Sequence, residues 1–170
     1  MAWLAVVLRL AWPWSAQYAE PIARYAEKYE FDPLLVAAVV YQESRFRNSI
    51  CYTGSHGLMQ VQLKPRSCPL TMAEARRQGL YEPGVNVERG VRLMSWWRGW
   101  WRRHHKDDGY HWLLHYNQGF GRVCPWPYSS CGRTEKIPVT TGKVGGYADR
   151  VLQIYRKLRR IKSELPRPAV

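Results

Sequence analysis

Acidic residues are scarce in this chain of 170 residues: Asp and Glu number 13 against 26 Lys and Arg, a formal net charge of +13. A polyanionic partner is the expectation that follows. Nucleic acid would satisfy the charge, but no nucleic-acid motif is present. The four cysteines contain no CxxC, which disfavours a zinc or thioredoxin-like reading. With no internal repeat and no low-complexity tract, the length is read as one domain with an adequate core. Long apolar runs are missing too. Residues 2–8 are apolar, but Arg9 interrupts them and the run is too short for a membrane span. No basic n-region precedes it, and Trp14-Ser15-Ala16 is a poor cleavage site. Residues 1–17 are accordingly expected to be an apolar leader or remnant export signal, 18–165 the domain proper and 166–170 a tail.

A single carboxylate, Glu43, stands in an apolar helical stripe. At about 100° per residue, Val36, Val39, Val40 and Glu43 share one face with Glu43 central. The helix is well marked, with Asp32 as N-cap, Pro33 at the first helical position and Phe31 placed to staple onto Val36. Two readings stand from this face alone. Glu43 lies at the rim of the core and turns to water or to an arginine, or it is partly buried near the last turn. In the second case lost hydration and the negative helix C-terminus hold its proton above the solution pKa, which suits a general acid near neutral pH.

The remaining pattern is mainly helical. A first helix is expected near Tyr18 to Tyr29, while residues 48–66 look irregular or β-like. Thr71 with Glu74 forms a capping box for a short helix that Gly79 can close in the left-handed conformation. Asn86 is expected to cap a long helix to about Arg103, Asp108 the helix bearing Tyr116, and a last helix starts at Tyr147 with Val151, Ile154, Leu158 and Ile161 on one side. The order is α+β, predominantly helical, with a minimal β-segment.

Downstream of Gln42-Glu43-Ser44-Arg45-Phe46 come Gly57-Leu58-Met59-Gln60, Asn86-Val87-Glu88-Arg89-Gly90, Tyr116-Asn117-Gln118-Gly119 and Tyr147-Ala148-Asp149-Arg150-Val151. In this order the blocks resemble the soluble lytic transglycosylase (SLT) family, lysozyme-like enzymes that cut peptidoglycan, across roughly residues 18 to 160. The resemblance implies that Glu43 is the catalytic acid/base, with Ser44 beside it as a substrate-binding residue. It implies that the backbone of Gly57, Leu58 and Met59, with Gln60, lines the groove and holds an N-acetyl sugar. Tyr116 and Asn117 match a block at the cleft, and Tyr147 matches a tyrosine that reaches the catalytic Glu. His115 replaces the usual Ala before Tyr-Asn, and the proline expected soon after Gly-Leu-Met-Gln comes only at Pro65. No cofactor and no metal are implied. Family members also occur in phage tails and in secretion or conjugation systems, so association with a wall-crossing apparatus is one expectation and a monomer another.

One absence bears on mechanism. After Glu43 no Asp or Glu appears before Glu74, whereas a lysozyme-type hydrolase uses two carboxylates across the bond. Chemistry with one catalytic group is therefore favoured, with a 1,6-anhydromuramic product as the resemblance implies. Two alternatives stay open: a muramidase recruiting water with a distant carboxylate such as Asp149, and a non-catalytic cationic protein that binds the wall or a membrane.

Trp96, Trp97, Trp100 and Trp101 crowd one helix and are read mainly as core, whereas Trp126, between Pro125 and Pro127, suits sugar stacking. Cys51, Cys68, Cys124 and Cys131 are read as local disulfides, Cys51–Cys68 and Cys124–Cys131, with four free thiols as the alternative. Disulfides would require an oxidising compartment, periplasmic or extracellular. His111 and His115, at i and i+4, lack a third ligand in any known metal motif. Arg156, Lys157, Arg159, Arg160 and Lys162 are read as a solvated face of the last helix.

Overall fold

The computed structural model of the protein describes residues 2–52, 54–63, 70–104, 109–110, 112–118 and 146–166. Helices dominate: α1 (Ala2–Ala11), a 3-10 helix (Pro13–Tyr18), α2 (Ala19–Lys28), α3 (Pro33–Ser44), α4 (Met72–Arg77), α5 (Pro83–His104), α6 (Trp112–Gln118) and α7 (Gly146–Ser163). The sheet formed by the described residues is one antiparallel pair, β1 (Cys51–Tyr52) and β2 (Ser55–His56), with Cys51 opposite His56. This is the expected predominantly helical α+β order with a minimal β-segment. The chain divides into two compact units, Met1–Val91 with Leu152–Val170, and Arg92–Val151.

In the first unit α3 is the hub. The Asp32 carboxylate caps its start by accepting from the Leu34 N–H at 2.9 Å, and Pro33 occupies the first helical position. From Leu34 to Val40 every side chain is buried, so the helix is enclosed on all sides rather than along one stripe. Phe31 and Val36, the expected staple, are both buried. Tyr155 on α7 donates its hydroxyl to the second Asp32 oxygen at 2.7 Å. Downstream, the capping box of Thr71 and Glu74 opens α4, and Gly79 follows it at φ +69°.

The segment expected as a leader is packed into this unit. Leu4, Val7 and Leu8 of α1 are fully buried, and α1 lies against the 3-10 helix and α2. The Ser15 hydroxyl lies 3.1 Å from the Leu8 carbonyl oxygen, joining the two elements. Trp12 stacks on Tyr41 of α3 with ring centroids 3.9 Å apart, and the Trp14 indole N–H donates to the Arg45 carbonyl at 3.4 Å.

One boundary differs from expectation. Helix α5 begins at Pro83, and Asn86 is not its cap but a buried residue inside it whose own N–H donates to the Glu82 carbonyl. Proline at the start, with no N–H to leave unsatisfied, displaces the capping role upstream.

In the second unit Met94, Trp97 and Trp101 of α5 are buried, as are Trp112, Leu113, Leu114 and His115 of α6. The His115 ring stacks on Trp97 at 4.9 Å. Trp96 is 47% exposed and departs from the core role expected of this cluster. Among the described residues no helix is long and apolar enough to cross a membrane.

Candidate active site

Glu43 lies on the last turn of α3, half-buried, with the buried Ser44 after it. The Ser44 hydroxyl donates to the Val40 carbonyl at 3.1 Å and is committed to the helix. The helix then stops abruptly, because Arg45 and Phe46 both adopt left-handed backbone, φ 54° and 59°. Two such residues in succession without glycine are uncommon, and this pair is held from outside. The Arg45 N–H donates to the Tyr41 carbonyl at 2.9 Å, its guanidinium lies 4.3 Å over the Tyr41 ring, and Phe46 is 2% exposed. Glu43 is thus carried on a rigid helix end.

The segment from His56 to Val61 folds back on itself, with the His56 N–H donating to the Val61 carbonyl and the Val61 N–H to the His56 carbonyl. Gly57 sits at φ +75°, and a Cβ there would lie 2.3 Å from Asn86 Nδ2 and 2.4 Å from the Leu80 oxygen. Glycine is required for both reasons. Leu58 and Met59 are core side chains, 0% and 1% exposed, so only their backbone is open to a role in binding. Gln60, at φ 47°, donates through Nε2 to the Gly57 carbonyl at 2.8 Å. That bond fixes the amide, and Oε1 is buried without a hydrogen-bond partner among the described residues.

What clamps this turn is Asn86. Its Oδ1 accepts from the Met59 N–H at 2.8 Å, and its Nδ2 donates to the His56 and Leu80 carbonyls at 2.9 and 2.7 Å. Every polar group of the fully buried amide is used. Gly90, one turn further on, lets Met59 approach: a Cβ there would stand 2.4 Å from its sulfur. Behind the turn, His56 is fully buried. Its Nε2 faces the Leu70 carbonyl at 3.2 Å and must donate, so Nδ1 accepts from the Tyr81 hydroxyl at 2.9 Å. Burial pushes the Tyr81 hydroxyl above its ordinary pKa. These supports were not among the expected site residues. The signal available was Asn86, Gly90 and Met94 at i, i+4 and i+8, a polar residue on an otherwise apolar helix face.

The first unit therefore holds Glu43, Ser44, Gly57, Leu58, Met59 and Gln60, while Tyr116, Asn117 and Tyr147 belong to the second. Tyr116 is half-buried and Asn117 exposed on α6; Tyr147 is buried at the start of α7, and Asp149, two residues on, is half-buried. Cys51 is a free, exposed thiol on β1, so the expected Cys51–Cys68 bridge is not formed. The short exposed hairpin leaves its side chain facing solvent. Cys68, Asp108, His111, Cys124, Trp126 and Cys131 lie outside the described residues.

Glu43 at the end of α3 and the glycine-dependent turn that carries Gln60 both belong to the first unit. Among the described residues no three His, Cys, Asp or Glu side chains gather to hold a metal. A family profile described as "Transglycosylase SLT domain" matches residues 20–136, more than half of the chain. The match takes in α3 with Glu43 and the turn from Gly57 to Gln60. The chain belongs to the SLT transglycosylase domain family, lysozyme-like enzymes acting on peptidoglycan.

Proposed function

We propose that the protein cleaves the β-1,4 bond between N-acetylmuramic acid and N-acetylglucosamine with Glu43 as the one acid and base, forming a 1,6-anhydromuramic product. Glu43 gives its proton to the bridging oxygen, and the C1–O bond breaks, freeing the 4-hydroxyl of N-acetylglucosamine. The muramic N-acetyl group stabilises the electron-poor C1. Ionised Glu43 then takes the proton of that sugar's C6 hydroxyl, whose oxygen closes on C1. Glu43 ends protonated and no water is consumed. Gln60 is the proposed partner of the N-acetyl group, and Tyr116, Asn117 and Tyr147 are further substrate contacts. The working compartment is then the wall itself, periplasmic or extracellular, and glycan strands are the partner.

What supports this reading is that several other described carboxylates of its unit are placed or engaged elsewhere. In its unit, Asp32 caps the far end of the same helix, roughly 16 Å away along an 11-residue rise, beyond the spacing of a hydrolase carboxylate pair. Glu74 is used by its capping box and Glu88 by Lys28 at 2.6 Å. Glu20 and Glu164 face solvent beside Arg24 and Arg160.

Mass spectrometry of fragments released from purified peptidoglycan tests it. Products one water lighter than muramidase products, lost in Glu43→Gln protein, are expected. Hydrated reducing ends would replace the anhydro reading by hydrolysis, with Asp149→Asn as the next variant. Release undiminished in Glu43→Gln would remove Glu43 from the mechanism and leave a cationic wall-binding protein.

A further inference from the structure

Helix α1 carries more apolar surface than the fold encloses. At about 100° per residue, Leu4, Val7 and Leu8 form its buried arc, and Ala2, Val6 and Leu10 form the opposite arc. Val6 is 45% and Leu10 62% exposed. A helix that is apolar all round is ordinarily enclosed in protein or set against lipid. This one is enclosed on one side only.

Cations border the exposed strip. Arg9, itself exposed, stands at one edge. At the other edge is the half-buried Trp3, and the Lys162 ammonium of α7 lies 3.9 Å over its ring. Lys157 lies 5.1 Å over the Trp12 ring, so α7 runs antiparallel beside α1 and brings two cations to its flank. Helix α1 contains no acidic residue. An apolar strip edged by cations, with a tryptophan beneath one of them, matches the surface of a helix that lies in the headgroup layer of an anionic bilayer.

The same borders argue against other occupants. Two copies meeting through this strip about a two-fold axis would set the cations of one against the cations of the other. A carboxylate-rich wall polymer would meet the charges but offers nothing apolar to Val6 and Leu10. Length favours lying on a bilayer over crossing it. Ten residues make α1 about 15 Å long, against ~30 Å of hydrocarbon, and its inner arc is held in the core.

We propose that α1, flanked by Lys157 and Lys162 of α7, is a docking surface for an anionic phospholipid bilayer. Val6 and Leu10 reach the acyl boundary, while Arg9 and the two lysines meet lipid phosphates. This surface is independent of the reaction at Glu43 and would hold the protein against the membrane that bounds the wall.

Flotation of the full chain with vesicles tests it. Vesicles of phosphatidylglycerol and phosphatidylcholine in equal parts should bind the protein more than about tenfold tighter than pure phosphatidylcholine. Arg9→Gln and Lys162→Gln should each weaken that binding about fivefold, the effect of one cation at an anionic surface. Arg77→Gln removes an exposed cation from α4 and should change it less than about twofold. Val6→Gln combined with Leu10→Gln keeps every charge and should weaken binding about tenfold through the lost apolar contact. Glutamine is a good helix former, and melts of this double variant should match wild type. Should it melt lower, Leu10→Gln alone, at the more exposed position, is the variant to compare.

Equal losses from Arg77→Gln and Lys162→Gln would reduce the attraction to net charge and overturn a defined face. Undiminished binding of the Val6 and Leu10 variants overturns it too, as does equal binding to both vesicle types or to neither. A wild-type dimer in sedimentation velocity that the double variant loses would assign the strip to a second copy instead. Turnover of short soluble peptidoglycan fragments should be the same in the double variant and wild type. Vesicle binding without any turnover would sink the enzymatic reading and leave the lipid surface standing.

Discussion

Gly57 shows how narrow the tolerances behind the site are. An alanine there would have to hold φ near +75° and push its methyl into Asn86 and the Leu80 carbonyl, neither of which is the end of a flexible chain. Gly57→Ala is expected to destabilise the protein by more than ~2 kcal/mol and to move Gln60; urea unfolding and KM, measured together, check both. Tyr81 gives a pH-dependent prediction. Burial raises its pKa above the ordinary tyrosine value, so the folded state keeps the proton longer than the unfolded chain. Its stabilising contribution is full below pH ~10, the unfolded value, and is lost as pH rises through the folded one. Tyr18, also raised by burial, adds an effect of the same sign. Tyr81→Phe should flatten the alkaline fall in Tm while lowering Tm at neutral pH, because the buried His56 Nδ1 loses its donor. At this scale the place of Glu43, half-buried on the last turn of α3, was legible because an acid in an apolar period is a local signal. Asn86 was misread as a cap because its partners, Met59 and His56, lie 27 and 30 residues away, where no window of sequence looks.

Among the elements, α1 with the 3-10 helix carries the strongest mechanical role outside the family match, which begins at residue 20. Trp12 backs Tyr41 and Trp14 holds the Arg45 carbonyl, so the turn after Glu43 is braced from the N-terminal segment. Leu4, Val7, Leu8 and Trp12 are at most 7% exposed, and at about 1.5–3 kcal/mol per buried apolar side chain their loss is comparable to the stability of a whole domain. Deleting residues 2–16 is expected to abolish cooperative melting by circular dichroism. Protein recovered from its working compartment should retain Trp3 and Trp12 on N-terminal sequencing. Helices α2, α3, α4 and α7 were legible because their caps and periods are local. The packing of the N-terminal segment was not, since Leu4, Val7 and Leu8 at i, i+3 and i+4 suit an export signal's apolar stretch and a core-facing helix equally. The start of α5 slipped because the asparagine at Asn86 outweighed the proline three residues before it.

For the whole molecule the question is what the net charge of +13 does. Part of it lies on α7, where Arg156, Lys157, Arg159, Arg160 and Lys162 are all exposed, as the solvated-face reading expects, and some of these cations rest on aromatic rings. Lys162 lies 3.9 Å over the Trp3 ring, Lys157 5.1 Å over Trp12 and Arg159 5.8 Å over Tyr155. Each such contact is worth about 0.5–1 kcal/mol at an exposed site, and it removes none of the charge from the molecular field. Toward a wall polymer rich in carboxylates that field raises encounter and retention, and salt screens it over ~10 Å at 0.1 M. The proposed chemical step at Glu43 is a short-range proton transfer and should hardly feel it. Raising NaCl from about 0.05 to about 0.5 M is therefore expected to weaken binding to insoluble peptidoglycan at least tenfold while changing kcat on short soluble fragments less than twofold. A parallel loss of both would place the decisive charges at the bound substrate. Salt-independent binding would mean that contacts in the groove alone hold the polymer, and the excess of basic residues would then have no part in adhesion.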